Sequence, residues 1–440
     1  MDHTPSVLFA ISDTGGGHRA GAAAIDAALA QLADGTVDRH IVDMLTSTGL
    51  PLIKDAPDLY NQLSTRWLSV FDLMFQMTDG RRRIDALTQF VYLSAHRNIV
   101  RVFEETRPDL VVSVHPLVNR LIGNARRTYR LSFHFVTVVT DLVSLHSAWA
   151  DPGAELCIVP TEEAYQLLLR RGFPARKLVR TGFPVHPKFA AYAGTRREAR
   201  ATLGIEPDPF TLLITSGGVG SGQLRELVLT LDQAYPALQL LVVTGKNASL
   251  RAELEALGLR PSIRIYGFVN NMEVLMAASD IIVTKAGPGT LMEALVMRRP
   301  VIVTEAVGMQ ERGNIDLVLN RELGAFCPTP DRIVPAIDGL MDPATYAATV
   351  ARLAEAVPRD GATQIAQVVL DRLQLPPPSR RRMRLLNIDA IRQIGARRPR
   401  LHLPAARARQ RLRARAARLR TISIRNLPRW RKSRRAPPSG

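Results

Sequence analysis

Cysteine is nearly absent: Cys157 and Cys327 are the only two in 440 residues. Both stand in apolar surroundings, one in each half of the chain, so neither a disulfide framework nor a cysteine metal site is expected, and a reducing compartment fits. Long uncharged apolar runs are also missing. No stretch approaches the ~18 residues that would span a bilayer, and the opening Met1-Asp-His-Thr-Pro5 runs into a strand-like segment without the features of a secretory leader. A soluble chain, or one peripheral on a membrane, is the expectation. Acidic residues are scarce at one end only. Residues 376–440 hold 21 Lys and Arg and one carboxylate, Asp389, whereas residues 1–375 hold 37 Lys and Arg against 39 Asp and Glu. The formal net charge of +18 therefore belongs to a tail, and the body is close to neutral.

What is present is strand and helix in alternation, twice over. Short apolar, often β-branched runs occupy 7–11, 41–43, 110–114, 133–139, 156–159 and 178–181, then 211–215, 238–244, 263–266, 281–284, 301–304 and 324–326. Helix-like segments such as 21–32 and 162–171 separate them. Continuous rather than alternating apolar runs imply parallel strands covered on both faces. The expected fold class is α/β, with two doubly wound domains facing across a cleft. The first spans 1–190 and the second 200–375, with the connection between Phe183 and Leu203. Leu373-Gln-Leu-Pro-Pro-Pro-Ser379 closes the body, because three prolines cannot continue a helix. Residues 376–440 then read as a Pro-rich linker and a polybasic, disordered tail.

One segment carries most of the chemistry. Thr284-Lys-Ala-Gly-Pro-Gly-Thr-Leu-Met-Glu293 joins the apolar run Ile281 to Val283 to a helix read over 290–297. Strand, glycine turn and helix together present unpaired backbone N–H groups and the positive end of a helix dipole, which suits a diphosphate. Glu293, one turn in, is placed to accept from a ribose diol. Gln310, Glu311 and Asn314 are read on the next strand-to-helix connection, where sugar hydroxyls would be recognised. The other reading is an ordinary βαβ turn with capping glycines and a solvated Glu293.

Other segments stand in a recognisable order: Ser12-Asp-Thr-Gly-Gly-Gly-His18, Ser113-Val-His-Pro116, Val139-Thr-Asp-Leu142 with His146 and Trp149, Gly182-Phe-Pro-Val185, Gly217-Gly218, and Lys285-Ala-Gly-Pro-Gly-Thr290. Over about residues 5–372 the chain resembles the glycosyltransferases that include monogalactosyldiacylglycerol synthase, processive diacylglycerol glucosyltransferases and, more distantly, the lipid II-forming N-acetylglucosaminyltransferase. The resemblance implies a GT-B fold with the acceptor lobe first and the UDP-sugar lobe second. It also implies inverting transfer of a hexose from UDP to a lipid hydroxyl, most simply that of diacylglycerol, with no metal or other cofactor beyond the UDP-sugar donor.

The resemblance assigns roles residue by residue. His18 or Asp141 would be the general base; a neutral imidazole suits that task at neutral pH, and Asp141 would otherwise orient the hydroxyl. Gly15, Gly16 and Gly17 would admit the donor phosphates and acceptor close to backbone, with positive φ where needed. Donor-side residues would be Gly217, Gly218, Phe268, Val269, Lys285, Gly287, Gly289, Thr290, Glu293, Gln310, Glu311 and Asn314. His115, His146 and Trp149 would line the acceptor side, although each histidine can equally hold a loop. One departure is visible: Gly308-Met309 precedes Gln310-Glu311 where the family often has Pro-Gly, which leaves the sugar loop and the hexose open.

Residues 59–78 concentrate Trp67, Leu68, Phe71, Met74 and Phe75, followed by three arginines at 81–83. This reads as an acceptor-side face dipping into a bilayer interface, or as a core helix. The tail 376–440 is expected to bind an anionic membrane surface, with nucleic acid as the second partner class. A cytoplasmic protein peripheral on the inner face of the cell membrane is the resulting expectation. Two other functions remain: a GT-B UDP-sugar epimerase, and a non-catalytic nucleotide-sugar or nucleic-acid binder.

Overall fold

The structure, a computed structural model, describes residues 3–14, 16–50, 68–215 and 223–376. Calls on Gly15, Trp67, Gly217, Gly218 and the tail from 377 onward lie outside these residues, as does the side chain of Phe71.

Two six-stranded sheets, all parallel, organise the body. The first contains β1 (Ser6–Ile11), β2 (Asp38–Asp43), β3 (Leu110–Ser113), β4 (His134–Val138), β5 (Leu156–Val159) and β6 (Leu178–Arg180), in the order β2-β1-β3-β4-β5-β6. The second contains β7 (Thr211–Thr215), β8 (Gln239–Val243), β9 (Ile263–Tyr266), β10 (Ile281–Thr284), β11 (Val301–Val303) and β12 (Gly324–Phe326), in the order β12-β11-β10-β7-β8-β9. All twelve apolar runs are strands, with ends shifted by a few residues at most.

The continuous hydrophobicity has the expected cause. Along β1, Val7, Phe9 and Ile11 face one core and Leu8 and Ala10 the other, so every residue of the strand is buried. In β7, Leu213 faces one core while Leu212 and Ile214 face the opposite one. Parallel strands need crossovers, and the crossovers bring helices to both faces.

Strand order decides where ligands gather. In the first sheet the order reverses between β1 and β3, and in the second between β7 and β10. Loops leaving the carboxyl ends of those strands diverge there and open a crevice. Residues 12–18, His115 and 285–290 all follow these strands, and Gly217 and Gly218 follow β7 in the sequence.

The chain crosses between the lobes twice. The helix Gly361–Leu373 falls within the span expected for the second lobe, yet it packs on the first sheet, with Ala362, Ile365, Ala366 and Val369 buried beside Ile25 and Leu29 of the helix Gly16–Ala33. An apolar stripe shows that a helix is buried but not which sheet buries it. The crossings touch at two glycines: a Cβ on Gly361 would lie 2.3 Å from the Phe183 carbonyl oxygen, and one on Gly182 3.0 Å from the Gly361 Cα.

Truncating the buried Ile365 to Ala removes the centre of that returning helix, so denaturant unfolding should show a loss of about 2–5 kcal/mol. A loss below about 1 kcal/mol would mean the helix does not close the first lobe.

Candidate active site

The acceptor-lobe cluster grows from four strand ends. The Asp13 amide donates to the Asp43 carboxylate at 2.9 Å, which pins the turn after β1. The chain then enters the helix Gly16–Ala33 directly, so Gly16 and Gly17 are its first residues rather than an open loop, with no positive φ. The earlier start, at 16 rather than 21, is possible because a first turn leaves its N–H groups free and needs no side-chain packing. A Cβ on either glycine would meet nothing within 4 Å, so the space above them is open.

His18 is in that first turn. Its Nδ1 is 2.9 Å from the Thr140 hydroxyl, and its ring meets His115 edge-on with centroids 4.5 Å apart. His115 Nε2 lies 2.8 Å from the Thr14 hydroxyl, while its Nδ1 and the Ser12 hydroxyl are buried polar atoms with no hydrogen-bond partner. Asp141 is buried just beyond Thr140. Its Oδ2 accepts from the Trp149 indole at 2.6 Å, and its Oδ1 accepts from the Gln310 amide of the other lobe at 2.7 Å. Thr140 and Thr14 lie inside motifs quoted from the sequence, but neither was given a role there.

The electrostatics follow from dryness. Burial pushes His18 down to about 4, opposed by a hydrogen bond that the ring donates to the Val114 backbone carbonyl, although part of its surface stays open to solvent. His115 is driven well below 6.5 by burial first and by neighbouring His18 and His146 second. Asp141 moves the other way, up to about 6, because burial outweighs the donors Trp149 and Gln310. At neutral pH the cluster therefore holds neutral imidazoles and one ionised carboxylate, poised close to its own pKa.

Two acceptor-side expectations change. Trp149 is fully buried, so it cannot line a cleft; it holds Asp141 through its N–H. His146 is also buried, and its Nδ1 accepts from the Ala148 amide while Phe75 packs edge-on at 4.9 Å, so it holds the 146–149 turn. Of the two readings open for His146, the loop-holding one describes its contacts. Sequence spacing placed both near the site, but it does not distinguish the wall from the layer behind it.

In the second lobe, β10 runs through Lys285 and Ala286 into the helix Pro288–Val296, with Gly287 as its N-cap and Pro288 at its first position. A proline there loses nothing, because its missing N–H would have been unpaired. Space around Gly289 is open to a Cβ, whereas a Cβ on Gly287 would lie 3.3 Å from the Lys285 side chain. Thr290 completes the first turn. Glu293, a turn deeper, has its pKa raised to about 7 by burial, and its carboxylate makes no hydrogen bond or ion pair to a described residue. A carboxylate in this state has unused acceptor capacity. Phe268 is 63% exposed with Lys246 Nζ 5.9 Å from its ring, so strand-end packing does not account for it; Val269 is partly buried.

Gln310, Glu311 and Asn314 lie inside the helix Gly308–Asn320, not on the connection before it. Gly308 makes the turn with φ +64°, and Glu311 accepts from the Val307 amide at 2.8 Å. Glu311 also stands 3.7 Å from Lys285. Asn314 is buried and donates to the Ala286 carbonyl at 2.8 Å, so it props the Lys285–Gly287 turn, while its Oδ1 is buried with no hydrogen-bond partner among the described residues. Gln310 reaches across the cleft to Asp141. The Gly308-Met309 departure thus starts a helix by a left-handed turn that glycine adopts freely.

Comparison with known proteins agrees with this geometry. The family described as monogalactosyldiacylglycerol (MGDG) synthase matches residues 18–185, and the glycosyltransferase family 28 C-terminal domain matches residues 211–306. Monogalactosyldiacylglycerol synthase 2 of Arabidopsis thaliana is 31% identical over 340 residues, covering 75% of this chain and 72% of its own length. A probable monogalactosyldiacylglycerol synthase of Nicotiana tabacum is 32% identical, covering 74% of this chain, which spans 63% of it. Among solved structures, MurG of Acinetobacter baumannii aligns over 83% of this chain and 99% of its own, with a TM-score of 0.56 at 15% identity. The calicheamicin glycosyltransferase CalG4 aligns over 84% and 99%, with a TM-score of 0.57 at 15% identity.

Carboxyl-carbon NMR should follow Asp141 titrating at about 6. In Trp149→Phe the carboxylate loses a donor that favours its charged form, so the midpoint should move up. An ordinary value near ~4 in the wild type would contradict the buried, two-donor arrangement.

Proposed function

We propose, from the premise that this chain belongs to the monogalactosyldiacylglycerol synthase family of glycosyltransferases, that it transfers a hexose from a UDP-sugar to diacylglycerol at a membrane surface, with inversion at the sugar. Family membership makes it a glycosyltransferase that moves a sugar from a UDP-sugar to a lipid; the acceptor, the surface and the residue roles are what the proposal adds. The UDP-GlcNAc 2-epimerase of Neisseria meningitidis aligns with a TM-score of 0.53 at 14% identity, a likeness of fold that does not carry its activity here.

In this reading His18 takes the proton of the acceptor hydroxyl. It is the member of the cluster that is both neutral at working pH and partly open to solvent. The acceptor oxygen bonds to the anomeric carbon as the bond from that carbon to the diphosphate oxygen breaks, and UDP departs with the electron pair. The first turn of the helix Pro288–Val296 and Lys285 would stabilise the departing diphosphate by fixed dipoles and charge, without any metal or other cofactor. Glu293 would accept from the ribose hydroxyls and Phe268–Val269 would hold the base. A bound diphosphate also raises the pKa of a neighbouring imidazole, bringing His18 toward a useful basicity.

The observation that carries the lipid reading is a cavity of about 620 Å³ beside the Asp141 loop, lined by Phe75, Val143, Leu145, Leu167 and Met309 together with charged residues. A volume of this size suits part of a lipid. Apolar faces on two helices extend the argument. Val70, Leu73 and Met77 are exposed on the helix Leu68–Thr78, and Leu87, Phe90 and Leu93 on the helix Arg81–Thr106, where Arg82, Arg83, Arg97 and Arg101 are exposed too. Apolar side chains between arginines fit an anionic bilayer interface. The membrane-facing residues would thus be Val70, Leu73 and Met77, whereas Phe75, expected there, turns inward onto His146. None of the described helices is long and apolar enough to cross a membrane. The basic tail 376–440 would add attraction to the inner face of the cell membrane; RNA bound salt-sensitively through that tail would favour the nucleic-acid partner instead.

The reading is tested with full-length protein, a panel of UDP-hexoses and anionic liposomes containing diacylglycerol, with lipid products followed by mass spectrometry. A glycosylated diacylglycerol is expected, and His18→Ala should slow its formation by about 10²–10⁴-fold. No product with any hexose, while UDP still binds, would overturn the acceptor assignment. In kcat/KM, which reports the free enzyme, the rate should also rise with pH through about 6 as Asp141 ionises, with no further limb from His18 between that point and pH 8. Binding of UDP should weaken roughly 10- to 100-fold in Glu293→Ala, read by calorimetry, if that carboxylate holds the ribose.

A further inference from the structure

The helix Gly308–Asn320 belongs to the donor lobe, yet one side of it lies along the acceptor lobe. The Met309 amide donates to the Asp72 carboxylate at 2.8 Å. Gln310 holds Asp141. Gly313, one turn further, faces the loop immediately after Asp141: a Cβ there would lie 2.6 Å from the Ser144 hydroxyl and 2.8 Å from the Val143 Cβ. Real side chains do not occupy such distances, so any residue but glycine must push the helix and that loop apart. Just beyond the helix, Arg321 makes two bonds to Glu163, at 2.8 and 2.7 Å, and Glu163 begins the helix Glu162–Arg170. That helix is capped by Thr161, whose hydroxyl also bonds the Leu142 carbonyl.

Glycine inside a helix is a poor choice on propensity alone. Gly313 has no left-handed φ to justify it. What it permits is a close approach of two lobes at residues 143 and 144, two and three positions after the carboxylate that Gln310 reaches. The Glu163–Arg321 pair, partly exposed, fixes the same helix at its far end, with Glu163 on the wall of the cavity beside the Asp141 loop.

We propose that Gly313 and the Glu163–Arg321 pair are positioning residues for sugar transfer: the absent side chain and the paired charges seat the donor-lobe helix on the Asp141 loop so that donor and acceptor meet in reacting geometry. This rests on the transferase reading above, but its structural half stands apart from it. Small displacements of reacting groups have large consequences for rate and small ones for binding one substrate to one lobe.

The test uses the full chain and two kinds of variant. Gly313→Ala should lower kcat roughly 10- to 100-fold while the KM for the UDP-sugar changes by about twofold or less, and thermal unfolding should remain a single cooperative transition, so that the loss is not one of folding. Amide hydrogen exchange should quicken in 141–145 and 308–314 but not in the strand 281–284. Glu163→Arg and Arg321→Glu should each lower kcat, and the double variant should recover it, a rescue that a loss of folding would not produce. Wild-type kcat and wild-type exchange in Gly313→Ala, or no recovery in the double variant, overturn the proposal. If the wild-type protein transfers no sugar, the function falls, and the exchange measurement alone then decides whether Gly313 seats the lobes.

Discussion

Asp141 is one carboxylate shared by two lobes. Its first oxygen is held by Trp149 from its own lobe and its second by Gln310 from the other. A buried carboxylate is costly unless hydrogen-bonded, and here the second donor arrives only when the lobes are together. The rest of the site is arranged around that requirement. Thr140, the preceding residue, fixes His18, and the following residues 142–144 carry the contacts with Thr161 and Gly313. The proposed reaction centre is thus not a property of either sheet. It is assembled at their contact, and each sheet contributes only strand ends at its own point of reversal.

The two halves divide the chemistry by charge. On the acceptor side, burial keeps the imidazoles neutral and makes one carboxylate more basic than usual. Across from it, the donor lobe offers a helix start, a lysine and open space at Gly289, and these suit a departing anion. Glu293 is the exception that fits the pattern. Its burial raises its pKa against the opposing charge of Lys188, and among the described residues its carboxylate has no hydrogen-bond partner. Neutral acceptor chemistry on one wall and anion stabilisation on the other are what transfer to a hydroxyl with loss of a diphosphate requires.

Much of this was legible in the sequence, for identifiable reasons. Runs such as Ile281 to Thr284 are apolar throughout because the strands are covered on both faces, and that pattern needs no tertiary information. Motif residues such as Asp141 and Lys285 could be placed because they stand just past strand ends, and His18 because it opens the helix after β1. The remainder depended on what packs against what. Trp149 and His146 stand beside functional residues in the chain, but only burial shows that they lie behind the wall. The helix Gly361–Leu373 has an ordinary apolar stripe that names no sheet. Gly313 looks like one more glycine in a polar helix until Ser144 and Val143 are seen in contact with it. The exposure of Phe90 and Leu93 was likewise hidden, because a stripe on a long helix reads the same whether it faces a core or solvent.

The central claim is that Asp141 is set jointly from both lobes, and a double-mutant cycle addresses it directly. Transfer rates, as kcat/KM, would be measured for wild type, Trp149→Phe, Gln310→Ala and the double variant. If both donors act through the one carboxylate, the effects should be non-additive by about 0.5–3 kcal/mol. Additivity to within about 0.3–0.5 kcal/mol would show that the two donors act independently, and that the lobes do not meet at Asp141 in the reacting enzyme.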